Sequence, residues 1–403
     1  MKRNLLFLII PILICSCKGT PKDAARRMEA VSLSELQVTD DFWRPYLLIH
    51  RDVTLPICVD WAENHLDSAT VSKVAEGMAY SLMFEKDPQL TVLRSNLITR
   101  REGGSGNHLP DESGCEVSSA VTKFFKDAGN LLLTGDGRYA DEMEETLFNK
   151  VLAGISLKGD RFGGDIPQSS NGRWERQVLD DIPLAAMDVF RALPSLGNFA
   201  YATSKDALWI NQFMGGDAKL NTGKNQLKVH QTTSYPWDGY VAIGLEMDKP
   251  LKAEVRIRIP SWCKDFTMTV NGSIADMTMD AGYAVIERKW SNGDRIELIL
   301  DMPVEVVDTC PLGKEEGLHA IRRGPIVYCM EEVDNPSGFD SLQLPKDAEY
   351  SFEDLPKRNW WGHGLTQIKA VSTDSRTLTF IPYFAWGNRT PGKMKVFIPY
   401  ETY

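Results

Sequence analysis

The spacing of apolar residues changes near residue 212 of this 403-residue chain. From about 30 to 212, apolar residues recur every three or four positions, which is typical of amphipathic helices. The clearest stripe lies in 116–133 and consists of Ala120, Val121, Phe124, Phe125, Ala128, Leu131 and Leu132.

The segment 134–137 ends this helix, because its two glycines tolerate the left-handed geometry of a helix terminus. A second helix over about 139–153 then completes an antiparallel α-hairpin. The pattern also predicts helices at 46–66, 71–85 and 183–196.

After residue 212 the apolar period becomes two, which predicts half-buried strands. Strands are expected at 252–259, 283–290 and 295–300, and Asn271-Gly272 is a strong hairpin-turn signal. Several such strands predict an antiparallel β-sandwich, followed by a second β-rich stretch from about 318 to 403.

The expected fold class is therefore multidomain α + β. We predict a helical domain over 31–212, a β-sandwich domain over 213–310 and a second β-rich domain over 311–403.

The N-terminus has the pattern of an export signal. Lys2 and Arg3 precede a short apolar run over 5–14, which is too short to span a bilayer. The segment Ile14-Cys15-Ser16-Cys17 resembles a bacterial lipobox, so we expect cleavage before Cys17, diacylation of its thiol and a polar tether over 18–30. An ordinary signal peptide with two incidental cysteines is the alternative.

Charge and composition narrow the class of partner. The formal net charge of −10 repels phosphate backbones, so no nucleic-acid partner is expected. The chain is rich in Trp, with 10 residues, and such rings serve either in a packed β core or in a cleft that stacks on sugars.

Five cysteines remain after the leader: Cys58, Cys115, Cys263, Cys310 and Cys329. Their odd number and the lack of CxxC pairs indicate neither a disulfide framework nor a zinc finger. We expect them to be mostly small buried apolar residues.

Several sequence motifs, spread in order along nearly the whole mature chain, resemble those of glycoside hydrolase family 127, the β-L-arabinofuranosidase-like group. They include Asp41-Phe42-Trp43-Arg44-Pro45, Leu133-Thr134-Gly135-Asp136, Ser195-Leu196-Gly197-Asn198, Thr233-Ser234-Tyr235-Pro236-Trp237-Asp238-Gly239, Arg323-Gly324-Pro325-Ile326-Val327-Tyr328 and Ile381-Pro382-Tyr383-Phe384-Ala385-Trp386-Gly387-Asn388-Arg389.

This resemblance implies an (α/α)6 barrel followed by β-sandwich domains. It also implies retaining release of non-reducing-end L-arabinofuranose, or a related sugar, from plant-type glycans. The family's nucleophile is a zinc-bound cysteine thiolate and its acid/base is a glutamate. Zinc lowers the pKa of the thiol, and the protonated glutamic acid supplies a proton to the leaving oxygen.

Carried onto this chain, the resemblance places the acid/base on Glu102 and the metal-ligand glutamate on Glu116. Glu102 stands in the Gly-rich phrase that continues with Gly103-Gly104, two residues closer to the metal motif than in the family. The alternative for Glu102 is a solvated carboxylate beside Arg100 and Arg101.

The zinc ligands and the nucleophile of the family are missing at their expected positions. The cysteine of the metal motif falls on Ser118, whose neutral hydroxyl is a poor zinc ligand, although the nearby Cys115 could substitute. No cysteine occurs between 116 and 262, so we expect no cofactor in this chain, and zinc belongs to the resembled family only.

The family's Cys-Cys run should precede Ser195 by about ten residues, and this chain has Asp180-Asp181-Ile182-Pro183 nearby but no cysteine. Asp180 or Asp181 as nucleophile would give a two-carboxylate retaining site. The alternative is an N-cap pair for the helix that follows.

The helical region is also short for the family. Residues 30–212 have room for about half of the helices in an (α/α)6 barrel. Histidines are correspondingly few, and only His50, His65 and His108 remain there.

Three hypotheses follow. The chain is a glycosidase with a remodelled site that acts on arabinose-containing glycan, a non-catalytic lipid-anchored carbohydrate-binding relative, or an internally deleted product of a full-length enzyme. In each case we expect an exported protein of the bacterial cell envelope, at the periplasmic or outer-membrane surface.

Overall fold

The computed structural model describes residues 27–65, 70–102, 116–222, 225–335, 338–357 and 363–401. The predicted leader, Cys17 and residues 18–26 of the tether lie outside these ranges, and the end of the predicted tether forms a short strand, Glu29–Ala30. Among the described residues, no helix has the length and apolar character needed to cross a bilayer.

Eight α-helices are described, and all lie in the N-terminal half of the chain. They are α1 (Trp43–Ile49), α2 (Leu55–Asn64), α3 (Thr70–Phe84), α4 (Pro88–Glu102), α5 (Glu116–Thr134), α6 (Gly137–Thr146), α7 (Pro183–Ser195) and α8 (Gly197–Ala200). One π-helical turn, His50–Thr54, joins α1 to α2, and another, Leu147–Val151, follows α6.

The α-hairpin formed by α5 and α6 is confirmed, and so are the helices predicted at 46–66, 71–85 and 183–196. Gly135 has a φ of 63° between α5 and α6, in the left-handed region that the stop signal requires. Helix α4 was not predicted, because its sequence is polar and, of its described side chains, only Leu90 and Leu97 are buried.

Helices α3 and α7 pack closely at Gly77. A Cβ added there would lie 2.4 Å from Cε1 of Phe190, so glycine is needed for this approach. The same contact is reinforced by Asp188, whose buried carboxylate binds Lys73 at 2.7 Å and Arg191 at 3.0 Å. These contacts fix the helix that begins beside the candidate site.

Two sheets form the middle of the molecule, with strands numbered along the chain. The first has the order β1 (Glu29–Ala30), β4 (Tyr201–Thr203), β5 (Ala207–Ile210), β9 (Leu251–Arg258), β13 (Tyr283–Trp290) and β12 (Thr278–Asp280). The second has the order β11 (Ser273–Ile274), β10 (Phe266–Val270), β14 (Arg295–Leu300), β8 (Tyr240–Met247), β7 (Asn225–Thr233), β6 (Gly216–Thr222) and β2 (Leu36–Val38).

The predicted strands are confirmed with small shifts in their ends. Asn271 and Gly272 both have positive φ, 53° and 78°, as the hairpin turn between β10 and β11 requires. Neighbouring strands in these two sheets are antiparallel, except for the parallel pair β5 and β9.

The helical pattern predicted from about 30 to 212 was wrong at both of its ends. The strands β1 and β2 at its start, and β4 and β5 at its end, pair into the two sheets. Strands of two to four residues are too short to show a period, and long-range pairing decides their conformation.

A third sheet follows in the C-terminal region. Its order is β15 (Val304–Val307), β16 (Ala320–Arg323), β17 (Ile326–Glu331), β20 (Thr377–Pro382), β19 (Leu365–Val371) and β18 (Tyr350–Leu355). Strand β21 (Lys393–Lys395) pairs with β17 and also with β3 (Ser169–Asn171), which belongs to the loop after α6. The predicted fold class, a helical region followed by mostly antiparallel β domains, is confirmed.

A buried ionic cluster fixes the helical region on the first sheet. Arg258 of β9 and Glu144 of α6 are fully buried and form a salt bridge. Arg258 also binds Asp141 at 2.7 Å. Tyr235 donates to Glu144 at 2.6 Å, and the indole of Trp262 donates to it at 3.2 Å. The two carboxylates offset the cost of burying the guanidinium and raise the pKa of Arg258 above its ordinary value.

Candidate functional site

An open cleft of about 590 Å³ lies between the loop that follows α6 and the start of α7. Three segments line it: 162–165, the stretch 173–177 except Arg176, and 181–185. This volume suits a small ligand such as a sugar ring.

One edge of the cleft is attached to the N-terminus of α5. The amide of Glu116 donates to Oδ1 of Asp165 at 2.9 Å, and the amide of Val117 donates to the carbonyl of Gly164 at 3.0 Å. Two of the free N–H groups at the start of this helix are therefore satisfied by the cleft loop.

Glu116 is half-buried, and its carboxylate faces Lys150 of the π-helical turn. The distance from Glu116 Oε1 to Lys150 Nζ is 3.6 Å, and the two side chains are 40% and 30% exposed. An ammonium group therefore stands beside the carboxylate that the family resemblance assigns to a metal.

Trp174 lines the cleft between Arg173 and Glu175. The indole nitrogen of Trp174 donates to the carbonyl of Asp165 at 3.0 Å, and its ring lies 4.5 Å from that of Trp386. These contacts fix the indole of Trp174 in the lining of the cleft.

The Asp180-Asp181 pair lies in a 3-10 turn, Leu179–Asp181, immediately before α7. Both residues are exposed, and Asp181 lines the cleft. The N-cap alternative is wrong, because the cap residue of α7 is Ile182 and no side chain makes a cap hydrogen bond there.

The remaining predicted residues are distributed as follows. Glu102 is the last residue of α4 rather than part of a loop, and its side chain lies outside the described part of the chain, as do Cys115 and His108. His50 is buried against Phe190, and His65 stacks on Trp61, so neither lines the cleft.

The four described cysteines, Cys58, Cys263, Cys310 and Cys329, are buried and free, as predicted. Burial raises the pKa of each of these thiols, which keeps them protonated. None of the four is placed to serve as a thiolate nucleophile in the cleft.

The described residues do not fit the zinc of the resembled family. In the ranges given above, no three His, Cys, Asp or Glu side chains converge as a metal site. Ser118 Oγ is shielded from solvent and has no hydrogen-bond partner among the described residues. A neutral hydroxyl and a carboxylate beside an ammonium are a poor donor set for Zn²⁺.

Asp165 and Trp174 line the cleft but were not predicted as site residues from the sequence. Their signal is a Trp in a polar, Gly-containing stretch, Asn171-Gly172-Arg173-Trp174, shortly after Gly163-Gly164-Asp165. An aromatic side chain in a segment without apolar periodicity is more typical of a binding loop than of a core.

The cleft thus combines an indole with the carboxylates of Asp165, Glu175 and Asp181 and the guanidinium of Arg173. Indole rings stack on the C–H faces of sugars, while carboxylates and guanidinium groups bind their hydroxyls. This arrangement suits a sugar ligand.

The chain matches the sequence descriptions of three domains of one family. Residues 104–188 match the family described as the GH127 catalytic domain of β-L-arabinofuranosidase, residues 207–302 match its middle domain, and residues 305–399 match the family 127 C-terminal domain. A non-reducing end β-L-arabinofuranosidase of Bifidobacterium longum subsp. longum is 28% identical over 306 residues, which are 65% of this chain and 45% of the relative.

Solved structures give the same result for the fold. A GH127 β-arabinofuranosidase has a TM-score of 0.81 at 18% identity, covering 94% of this chain and 98% of the other. A GH127 β-L-arabinofuranosidase of Geobacillus stearothermophilus T6 has a TM-score of 0.65 at 27% identity, covering 81% of this chain and 59% of the other. The chain spans less than half of the length of the Bifidobacterium relative.

A helical region with a sugar-sized cleft, followed by β domains, is the architecture of a multidomain glycoside hydrolase. The chain belongs to glycoside hydrolase family 127.

Proposed function

We propose that this chain is a retaining exo-glycosidase that releases non-reducing-end L-arabinofuranose, or a related sugar, from plant-type glycans. The observation that supports this proposal is the cleft at the N-terminus of α5, where Asp165 and Asp181 lie with Trp174.

In this proposal Glu102 is the acid/base and Asp181 is the nucleophile. About ten residues before Ser195, where the family carries its cysteine pair, this chain has Leu184 and Ala185, which cannot attack an anomeric carbon. Asp181 lines the cleft beside these residues, whereas Asp180 does not. A carboxylate nucleophile opposite a protonated glutamic acid is sufficient for retaining hydrolysis.

The test uses the purified chain without residues 1–17 and an aryl β-L-arabinofuranoside. Hydrolysis is expected, and Glu102→Gln and Asp181→Asn should each lower kcat by roughly 100-fold or more, the usual contribution of such groups. Asp180→Asn is the matched control and should retain wild-type kcat. Absence of turnover on a panel of aryl furanosides and pyranosides would reject the proposal.

A non-catalytic carbohydrate-binding role is the second candidate. It is favoured by one observation: the described residues offer neither a thiolate nor a metal site, while the cleft keeps its indole. This role predicts that arabinofuranosides bind to the wild-type chain and that Trp174→Ala abolishes binding, with no turnover of any substrate.

We further propose that the protein is exported and anchored by a lipid on Cys17. Growth of the producing bacterium with labelled fatty acid should label the wild-type chain and leave Cys17→Ser unlabelled. Equal labelling of Cys17→Ser would show that the anchor lies elsewhere.

A further inference from the structure

The cleft loop between α6 and α7 is held by the C-terminal domain as well as by α5. Its strand β3 pairs with β21, and the amide of Val396 donates to the carbonyl of Gln168 at 2.9 Å. At its start, the amide of Leu157 donates to the side-chain oxygen of Asn388 at 2.8 Å.

Tyr383 holds the middle of the loop. Its buried hydroxyl lies 3.0 Å from the carbonyl of Ile166 and 3.1 Å from that of Pro167, the two residues directly after Asp165. The single hydroxyl proton is shared between these two acceptors. Burial, with a contribution from Glu116, raises the pKa of Tyr383, so the hydroxyl stays a donor.

Arg176 holds the end of the loop. This buried guanidinium donates to three backbone carbonyls: Ala153 at 3.1 Å, Trp386 at 2.7 Å and Phe384 at 3.2 Å. Burial lowers the pKa of Arg176 to about 10, so the group is still charged at neutral pH. Its carbon Cζ lies 5.4 Å from the Trp174 ring, which also packs on Trp386.

These contacts join the wall of the cleft to one turn of the C-terminal domain, residues 383–388. We infer that this turn supports the ligand site. Tyr383 of the turn, and Arg176 of the loop that binds it, are positioning residues that hold Asp165 and Trp174 in place for the sugar. The inference rests on the proposed function for the identity of the ligand.

The experiment compares Tyr383→Phe and Arg176→Lys with wild type in the chain lacking residues 1–17. Tyr350→Phe is the matched control, since its hydroxyl binds Tyr400 in the same domain and not the cleft loop. Hydrogen exchange of peptides covering 163–177 reports the loop, and kcat and KM on the aryl β-L-arabinofuranoside report the site.

Tyr383→Phe should speed exchange in 163–177 and raise KM, each by roughly five- to tenfold, the value of about one buried hydrogen bond. The kcat should stay within about twofold of wild type, because the reacting carboxylates are untouched. Arg176→Lys should act in the same direction. In both variants, peptides covering 251–300 should exchange as in wild type. In the Tyr350→Phe control, exchange of 163–177 and KM should both stay at their wild-type values.

Unchanged exchange of 163–177 in both variants would overturn the inference, and so would faster exchange with an unchanged KM. Wild-type protein that neither binds nor hydrolyses an arabinofuranoside would instead refute the proposed function. In that case the exchange data alone decide whether Tyr383 and Arg176 hold the loop.

Discussion

The backbone amide of Glu116 donates a 2.9 Å hydrogen bond to the carboxylate of Asp165, which lies 49 residues further along the chain. A side chain of the cleft loop therefore caps the first described residue of helix α5. The position that the family resemblance assigns to a metal ligand serves here as the junction between helix and cleft.

Two replacements of Asp165 distinguish the contribution of its hydrogen-bond acceptor to stability from that of its negative charge. Asp165→Ala removes the acceptor and should lower the free energy of unfolding by about 1 kcal/mol, as for other lost caps. Asp165→Asn keeps an acceptor oxygen and should cost less than half of that amount. Chemical denaturation measures both, and equal losses in the two variants would contradict the cap.

The metal content is a second test. Purified wild-type protein should carry well under one equivalent of zinc by elemental analysis, and dialysis against a chelator should leave any glycosidase activity unchanged. The reason is that Glu116 faces Lys150 and Ser118 stands where a thiolate would be required. One equivalent of zinc, with activity lost on chelation, would contradict this prediction.

The fold and the site differ in how far the sequence predicts them. Long periodic segments such as α5, β13 and β14 were predicted almost to the residue, since one buried face dictates each of them. The polar helix α4 and the short strands β4 and β5 were not, because they depend on partners distant in sequence.

Within the site, motif position pointed to Glu116 and to the pair Asp180-Asp181. The backbone amide of Glu116 binds Asp165 at the edge of the cleft, and of the pair only Asp181 lines it. Asp165 and Trp174 could not be placed in the same way. Their loop is held by Tyr383 and Arg176 through backbone carbonyls, which carry no signature in the sequence.

The ionic cluster of Arg258 and Glu144 should dominate the stability of the junction between helices and sandwich. Arg258→Met leaves the fully buried Glu144 without its cation and should cost about 3–5 kcal/mol. Arg256→Met is the matched control in the same strand, since its partners Glu254 and Asp280 are each 33% exposed, and its cost should be clearly smaller. Equal costs, measured by denaturation, would show that the burial of the pair is unimportant.

Two buried histidines should make stability depend on pH. His50 donates from Nε2 to the carbonyl of Phe190 at 2.9 Å, and His363 donates to that of Leu157 at 3.2 Å. Burial lowers the pKa of each to about 4 in the folded chain, below the ordinary value of about 6.5.

Between these two pKa values the unfolded chain binds more protons than the folded chain, so stability falls as the pH falls from about 6.5 to about 4. Each histidine should contribute up to about 3 kcal/mol to this loss, at 1.36 kcal/mol per pKa unit. His50→Gln keeps an N–H donor but does not titrate, so its free energy of unfolding should decrease less steeply than that of wild type over this interval. Since the raised carboxyl pKa values affect wild type and His50→Gln alike, the difference in slope isolates His50. Identical slopes would mean that this histidine is protonated without unfolding.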